Sequence, residues 1–343
     1  MHRSATALFV LWLGVVAPHS SFAHHSRAAF DMSKEAMIEG TVAKLDWMNP
    51  HIYFTVETRD ARGEPRLQEI EATSVSEAAA LGLRKEAIAP GTHVLVRVNP
   101  NRQGAGARAS GLDVRTSDGT VYPLNVDAKL ALVPAIATTA DGLAGRWAPT
   151  LDSFNGIRRR SWPLTEAGRA AQTARREKVA QSPELASFGI CEPLPPPLQS
   201  IFPDLRTIEI GGSTVVMRTE GAVGVRMERV VHLDQSEHPA NVAPSMMGHS
   251  IGRWEGQTLV IDTVAFEPSS MGLIFQPSSS AKHLVERLSL AEDRRHLQYT
   301  FTLEDREFLA GTASYTATWD YRPDLEPTNV PCDPETARRF TQR

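Results

Sequence analysis

A mainly β chain, with an OB-like Greek-key barrel followed by a larger antiparallel lipocalin-like β-barrel carrying one helix, is the fold class this sequence predicts. Three observations carry the prediction. Short runs alternating apolar and polar residues recur along most of the chain. Glycine-, proline- and asparagine-rich turns separate them at close intervals. Finally, 343 residues exceed what one core ordinarily serves, so two domains are expected. The boundaries read as a signal peptide over 1–23, an OB-like domain over 24–128, a linker over 129–142 and the larger barrel over 143–343.

The leader opens with Met1-His2-Arg3, continues with an apolar run from Ala5 to Ala17 and ends in Ser21-Phe22-Ala23. That is the pattern of a cleaved secretory signal, with an apolar run too short to cross a bilayer. It predicts a periplasmic or secreted protein. Strands are then expected over Ala36–Leu45, His51–Thr58 and Arg66–Ala72, a helix over Ser74–Ala87, and strands over His93–Val98 and Ala109–Val114. Three strands, a helix and two strands is the order of an OB-type barrel. Trp47, Tyr53 and Phe54 are expected in its core.

Past the linker, Gly145-Arg146-Trp147 is similar to the opening of lipocalin-like barrels, and Ser161–Ser182 is helical in composition. A proline-rich loop from Pro183 to Pro203 holds Cys191. Eight strands follow, over Arg206–Ile210, Thr214–Thr219, Val223–Leu233, Gly252–Glu255, Thr258–Phe266, His283–Leu290, Leu297–Leu303 and Thr312–Tyr321. Consecutive antiparallel strands with short turns close most economically as an up-and-down barrel. Cys191 and Cys332 are the two cysteines of the chain. In an exported protein they are expected to pair.

His24-His25-Ser26, Phe30-Asp31, Gly40-Thr41-Val42 and Trp47-x-Asn49-Pro50-His51 resemble the DUF6152 family, exported bacterial proteins of unknown function, over roughly residues 24–125. The segment from Pro244 through Gly248-His249-Ser250 and Trp254-Glu255-Gly256 to Thr263 is similar to an uncharacterised barrel module of secreted proteins. It departs from that module at Gln257, where aspartate is expected in the turn. The resemblance implies compartment and domain boundaries, and brings no activity.

A net charge of −4 with interspersed signs lays no cationic track for nucleic acid. Serine elbows, phosphate loops, dinucleotide fingerprints and paired His-Glu zinc motifs do not occur. Three groups of residues remain for chemistry. Cleavage after Ala23 would expose His24, whose amine and ring, joined by His25, His51 or His93, form a nitrogen donor set suited to copper. His232, Asp234, His238, Met246, Met247 and His249 mix imidazoles and thioethers between two strands, with Trp254 just beyond. His249 with Asp262 or Glu286 is the minimum for general base catalysis. Asp262 stands in an apolar run, where a lone charge is costly and demands a partner; Arg226, Arg253 and Arg287 are the candidates. Taken together, the sequence leads to a protein binding a small apolar or amphipathic molecule in the second barrel, through His232, His238, Met247 and Trp254, with a copper site at His24, His25 and His51. The alternatives are an enzyme, either a copper-dependent oxidase built on His24 or a hydrolase or lyase using His249 and Asp262, and a structural envelope protein. A barrel core filled by Val215, Met217, Val260, Phe266, Tyr299 and Phe301 would favour the structural reading.

Overall fold

The computed structural model describes residues 29–60, 62–104, 106–125, 138–182, 191–221 and 224–341. The expected leader and most of the expected linker lie outside these residues.

The first barrel is built from β1 (Ala36–Asp46), β2 (Tyr53–Arg59), β3 (Pro65–Glu71), α1 (Val75–Ala80), β4 (His93–Asn99) and β5 (Ala109–Thr116). Its sheet runs β3-β2-β1-β4-β5, and a short parallel contact setting Ile70 beside Ala109 closes it into the OB arrangement. A short β6 (Val121–Pro123) adds to the free side of β5. Only the first part of the expected helix is α-helical. The Ser74 hydroxyl caps α1 by accepting from the Glu77 amide at 3.2 Å. Gly82, at φ 85°, then ends it before a separate 3-10 turn over Lys85–Ile88. Alternate residues, among them Val42, Phe54, Val56, Val96 and Val114, fill this core, and Trp47 packs against it.

The second barrel closes nine strands in chain order: β7 (Gly145–Pro149), β8 (Leu205–Ile210), β9 (Thr214–Glu220), β10 (Arg226–His232), β11 (His249–Glu255), β12 (Thr258–Val264), β13 (Lys282–Leu290), β14 (His296–Asp305) and β15 (Ala313–Tyr321). An odd number of strands cannot close through antiparallel neighbours alone. The expected all-antiparallel ring is therefore corrected at one seam: β10 and β11 are parallel, with Val231 beside Ser250 and His232 beside Ile251. Parallel neighbours need a connection that returns the chain to the same end of the barrel. Residues 233–248 make that crossover. Gly252 lets the seam form, since a Cβ there would lie 2.7 Å from a Val231 methyl.

The barrel interior is filled. Trp147, Trp319, Tyr299, Phe301, Val215, Met217 and Phe266 are all buried in one cluster. The short α4 (Leu198–Ile201) plugs one end, held by buried Arg206, which donates to the carbonyls of Asp204 (2.8 Å), Phe202 (2.7 Å) and Gln199. The expected helix forms as α3 (Glu166–Gln181), and α2 (Leu151–Arg158) and α5 (Pro334–Thr341) join α4 in taking the count past that single one. Thr150 explains α2, its hydroxyl accepting from the Ser153 amide at 3.2 Å.

Cys191 and Cys332 form a disulfide across 141 residues of chain. It fastens a C-terminal strap that crosses back to the first barrel: Asn49 donates to the Val330 carbonyl at 2.7 Å, and the Asp333 amide donates to the Asn49 carbonyl at 3.0 Å. On α5, Arg339 then pairs with Asp46 at 2.8 Å and stacks over the Tyr53 ring. The final helix thus docks on the first barrel, although it follows the second in sequence.

Candidate functional site

Strand alternation decides which side chains meet. On β10 to β13 the inward set includes Arg229, Val231, Ser250, Ile261, Thr263, Leu284 and Glu286, all buried. The outward set includes His232, His249, Asp262 and His283, each partly exposed. Four neighbouring strands therefore line up three imidazoles and a carboxylate on the outer wall, across the parallel seam. The crossover folds a fourth imidazole, His238, onto them. Gly248 admits the chain there at φ 69°, where a Cβ would strike Thr263 and the Val264 carbonyl, each at 2.7 Å.

Asp262 is the hub. Its carboxylate accepts from His238 Nε2 at 3.0 Å and from His283 Nε2 at 3.1 Å. His238 Nδ1 faces His249 Nδ1 at 2.9 Å, and the His249 ring stacks on His232 with centroids 5.2 Å apart. Glu304 lies 3.8 Å from His283 Nδ1. The His283 hydrogen bond holds the Asp262 carboxyl below its ordinary range, and Asp262 in turn raises the affinity of His283 for its proton. His249 shifts the other way, first because burial disfavours its charged form and then because His238 and His232 are close. A neutral imidazole has one donor and one acceptor nitrogen. With Asp262 ionised and His238 neutral, His238 donates to Asp262 through Nε2, and its Nδ1 accepts from His249 Nδ1. The His249 Nε2 lone pair is then oriented by a chain ending on a carboxylate, the arrangement that suits proton acceptance.

Of the residues singled out by sequence, the structure gathers His232, His238, His249 and Asp262. The three arginines expected to balance Asp262 do not do so: Arg253 and Arg287 both pair with Glu255, at 2.8 and 2.7 Å, and Asp262 takes its hydrogen bonds from His238 and His283. Glu286 belongs elsewhere. It points into the barrel, accepts from the Tyr299 hydroxyl at 2.7 Å and pairs with Arg229 at 2.6 Å, on the opposite side of the sheet from His249. Met247 packs against the core, where its sulfur accepts from Gln199. Trp254 stays exposed and walls a groove of about 450 Å³ with Leu233, Ile251 and Arg253. The groove ends near one imidazole, because Ile251 is the cross-strand partner of His232.

His283 went unrecognised by sequence. Its signal was parity: Leu284 and Leu288 mark the inner face of β13, which puts His283 on the outer face and Glu286 on the inner. Of the expected copper ligands, His24 and His25 lie outside the described residues. His51 sits at the rim of the first barrel, 2.9 Å from Glu71, and His93 is 3.9 Å from Glu39. Among the described residues, no three His, Cys, Asp or Glu side chains converge as a metal-binding group.

Residues 13–112 match the model of a family of unknown function, DUF6152. The match falls within the N-terminal part of the chain and stops inside the first barrel, short of every residue of the histidine group. No curated protein matches the chain. Among the described residues no helix is long and apolar enough to cross a membrane.

Proposed function

We propose that the protein is an exported binding protein that holds a small amphipathic molecule on the outer wall of its second barrel, along the parallel seam. The observation that carries this reading is the groove beside the histidines. An exposed indole, an isoleucine and a leucine offer an apolar wall, and Asp234, Gln235, Ser236 and Arg253 supply its polar groups. The filled interior, which taken alone favours the structural alternative and leaves no room for a ligand inside the barrel, leaves the outer wall as the place for one. Export is supported by the leader pattern and by the disulfide, which persists in oxidising compartments. The anionic fluorophore 1-anilinonaphthalene-8-sulfonate is a suitable probe, having an apolar body and a single charge. Saturable binding that falls at least about tenfold in Trp254→Ala, with an unchanged melting temperature, is the expected result. Equal binding in wild type and variant would refute the groove.

A second reading, favoured by the oriented chain from Asp262 through His238 to His249, makes His249 a general base acting on a molecule held in the same groove. Turnover of model esters whose kcat is lost in His249→Ala, and whose KM alone rises in Trp254→Ala, would support it over simple binding. The copper site at His24, His25 and His51 is a separate proposal resting on the expected mature N-terminus. Cu(II) binding by a chain beginning at His24, lost when one residue precedes it, is its test.

A further inference from the structure

The C-terminal half of α3, the loop after Cys191 and the loop between β12 and β13 enclose a cavity of about 260 Å³, at the small end of ligand pockets. Arg175 reaches into its wall from α3. The guanidinium Nη2 donates to the Met271 sulfur at 3.0 Å, and its Nε is buried without a hydrogen-bond acceptor. Among the described residues no carboxylate lies within ion-pair distance of it. A thioether is a weak acceptor, so this partly buried cation has lost some of its hydration and gained little in return, which an anion completing the site would offset. Burial accordingly lowers its affinity for the proton, and neighbouring Arg176 adds to the effect.

The remainder of the cavity selects the anion. Leu194 and Met271 are buried and apolar, giving a surface for a hydrocarbon tail. Glu192 and Glu267 stand exposed at the rim. With the exposed Lys178, which also lines the cavity, the two carboxylates offset both cations, which disfavours polyanions such as phosphates and leaves one negative charge to pair with Arg175. We propose that this cavity is a second binding site, for a small organic monoanion: a carboxylate whose charge pairs with Arg175 and whose short apolar tail lies against Leu194 and Met271. The site is independent of the histidine groove.

Hexanoate is the probe, with hexanol as its uncharged counterpart, titrated calorimetrically into the full chain. Wild type is expected to bind hexanoate saturably and to melt higher in its presence, and to bind hexanol at least about tenfold more weakly. Arg175→Met and Arg175→Gln are expected to lose hexanoate binding at least about tenfold and, without ligand, to melt no lower than wild type, because each removes an unpaired, partly desolvated charge. A purely structural arginine would instead lower the melting temperature when replaced. Trp254→Ala is expected to bind hexanoate as wild type does, which separates this site from the groove. The proposal is overturned if wild type shows no saturable binding, if hexanol binds equally well, or if both Arg175 variants keep hexanoate affinity within about twofold.

Discussion

Replacing Lys282 with methionine tests how the second barrel tolerates charge in its interior. Lys282 is 2% exposed, donates to the Pro196 carbonyl at 2.7 Å and lies 3.8 Å from the centre of the Phe266 ring. Burial pushes its pKa down from 10.5 to about 7, against the opposing pull of Glu286 and Asp305. The unfolded chain therefore holds a proton on this amine between pH about 7 and about 10.5 that the folded chain has released. Where the unfolded state binds more protons, stability rises with pH, by at most about 1.36 kcal/mol per unit for one group. Below about 7 both states are protonated and the slope vanishes. Integrated from about pH 6 to about pH 9, the wild type gains about 2.6 kcal/mol from this group. Lys282→Met lacks the group and gains none of it. Urea unfolding at matched ionic strength, followed by tryptophan fluorescence that buried Trp147 and Trp319 report from this barrel, measures both proteins across the range. The difference between them should change by about 2.6 kcal/mol, in favour of the wild type at alkaline pH. A difference flat to within about 0.5 kcal/mol would mean that Lys282 keeps a near-normal affinity for its proton, and would refute the account of the interior.

Three further outcomes are expected. Glu286→Gln leaves Arg229, 3% exposed, without its carboxylate and should cost about 3–5 kcal/mol in urea unfolding; a loss below about 1 kcal/mol would remove the pair from the list of interior restraints. Cys332→Ser opens a loop of 141 residues, for which chain entropy gives about 5 kcal/mol as an upper figure. Its urea midpoint should fall and no longer respond to a reducing agent. Asp262→Asn should lower the midpoint of the His283 ring signals in an NMR titration, because Asp262 is the leading cause of the raised His283 affinity. The signs also confine the ion pair to a window. Asp262, held low, loses its contribution as pH falls through its depressed pKa, and His283, held high, loses its contribution as pH rises through its raised one. Both side chains are about a third exposed, so the pair adds under about 1 kcal/mol.

Much of the fold is written locally. Alternation from Thr214 to Glu220 or from His296 to Asp305 buries every second residue in the structure as it does on paper, because a strand's two faces have period two whatever it pairs with. The order of strands and helix placed an OB barrel before residue 128, and the pairing of the two cysteines followed from their number and the expected compartment. Even the separation of Glu286 from His249 was available from the parity of β13. The cost of a lone carboxylate also told that Asp262 must have partners.

Which partners it has was decided by closure. Nine strands form a ring only with at least one parallel seam, and the seam here turns residues 233–248 into a crossover lying against the outer wall. His238 reaches Asp262 across 24 residues and His283 reaches it across 21. No local pattern encodes either contact, since strand number, register and the return path of a connection are properties of the whole ring. The same holds for Arg175 against Met271, 96 residues apart, and for α5 returning to the first barrel. Local sequence chooses the face of each strand; the closed barrel chooses which faces become neighbours.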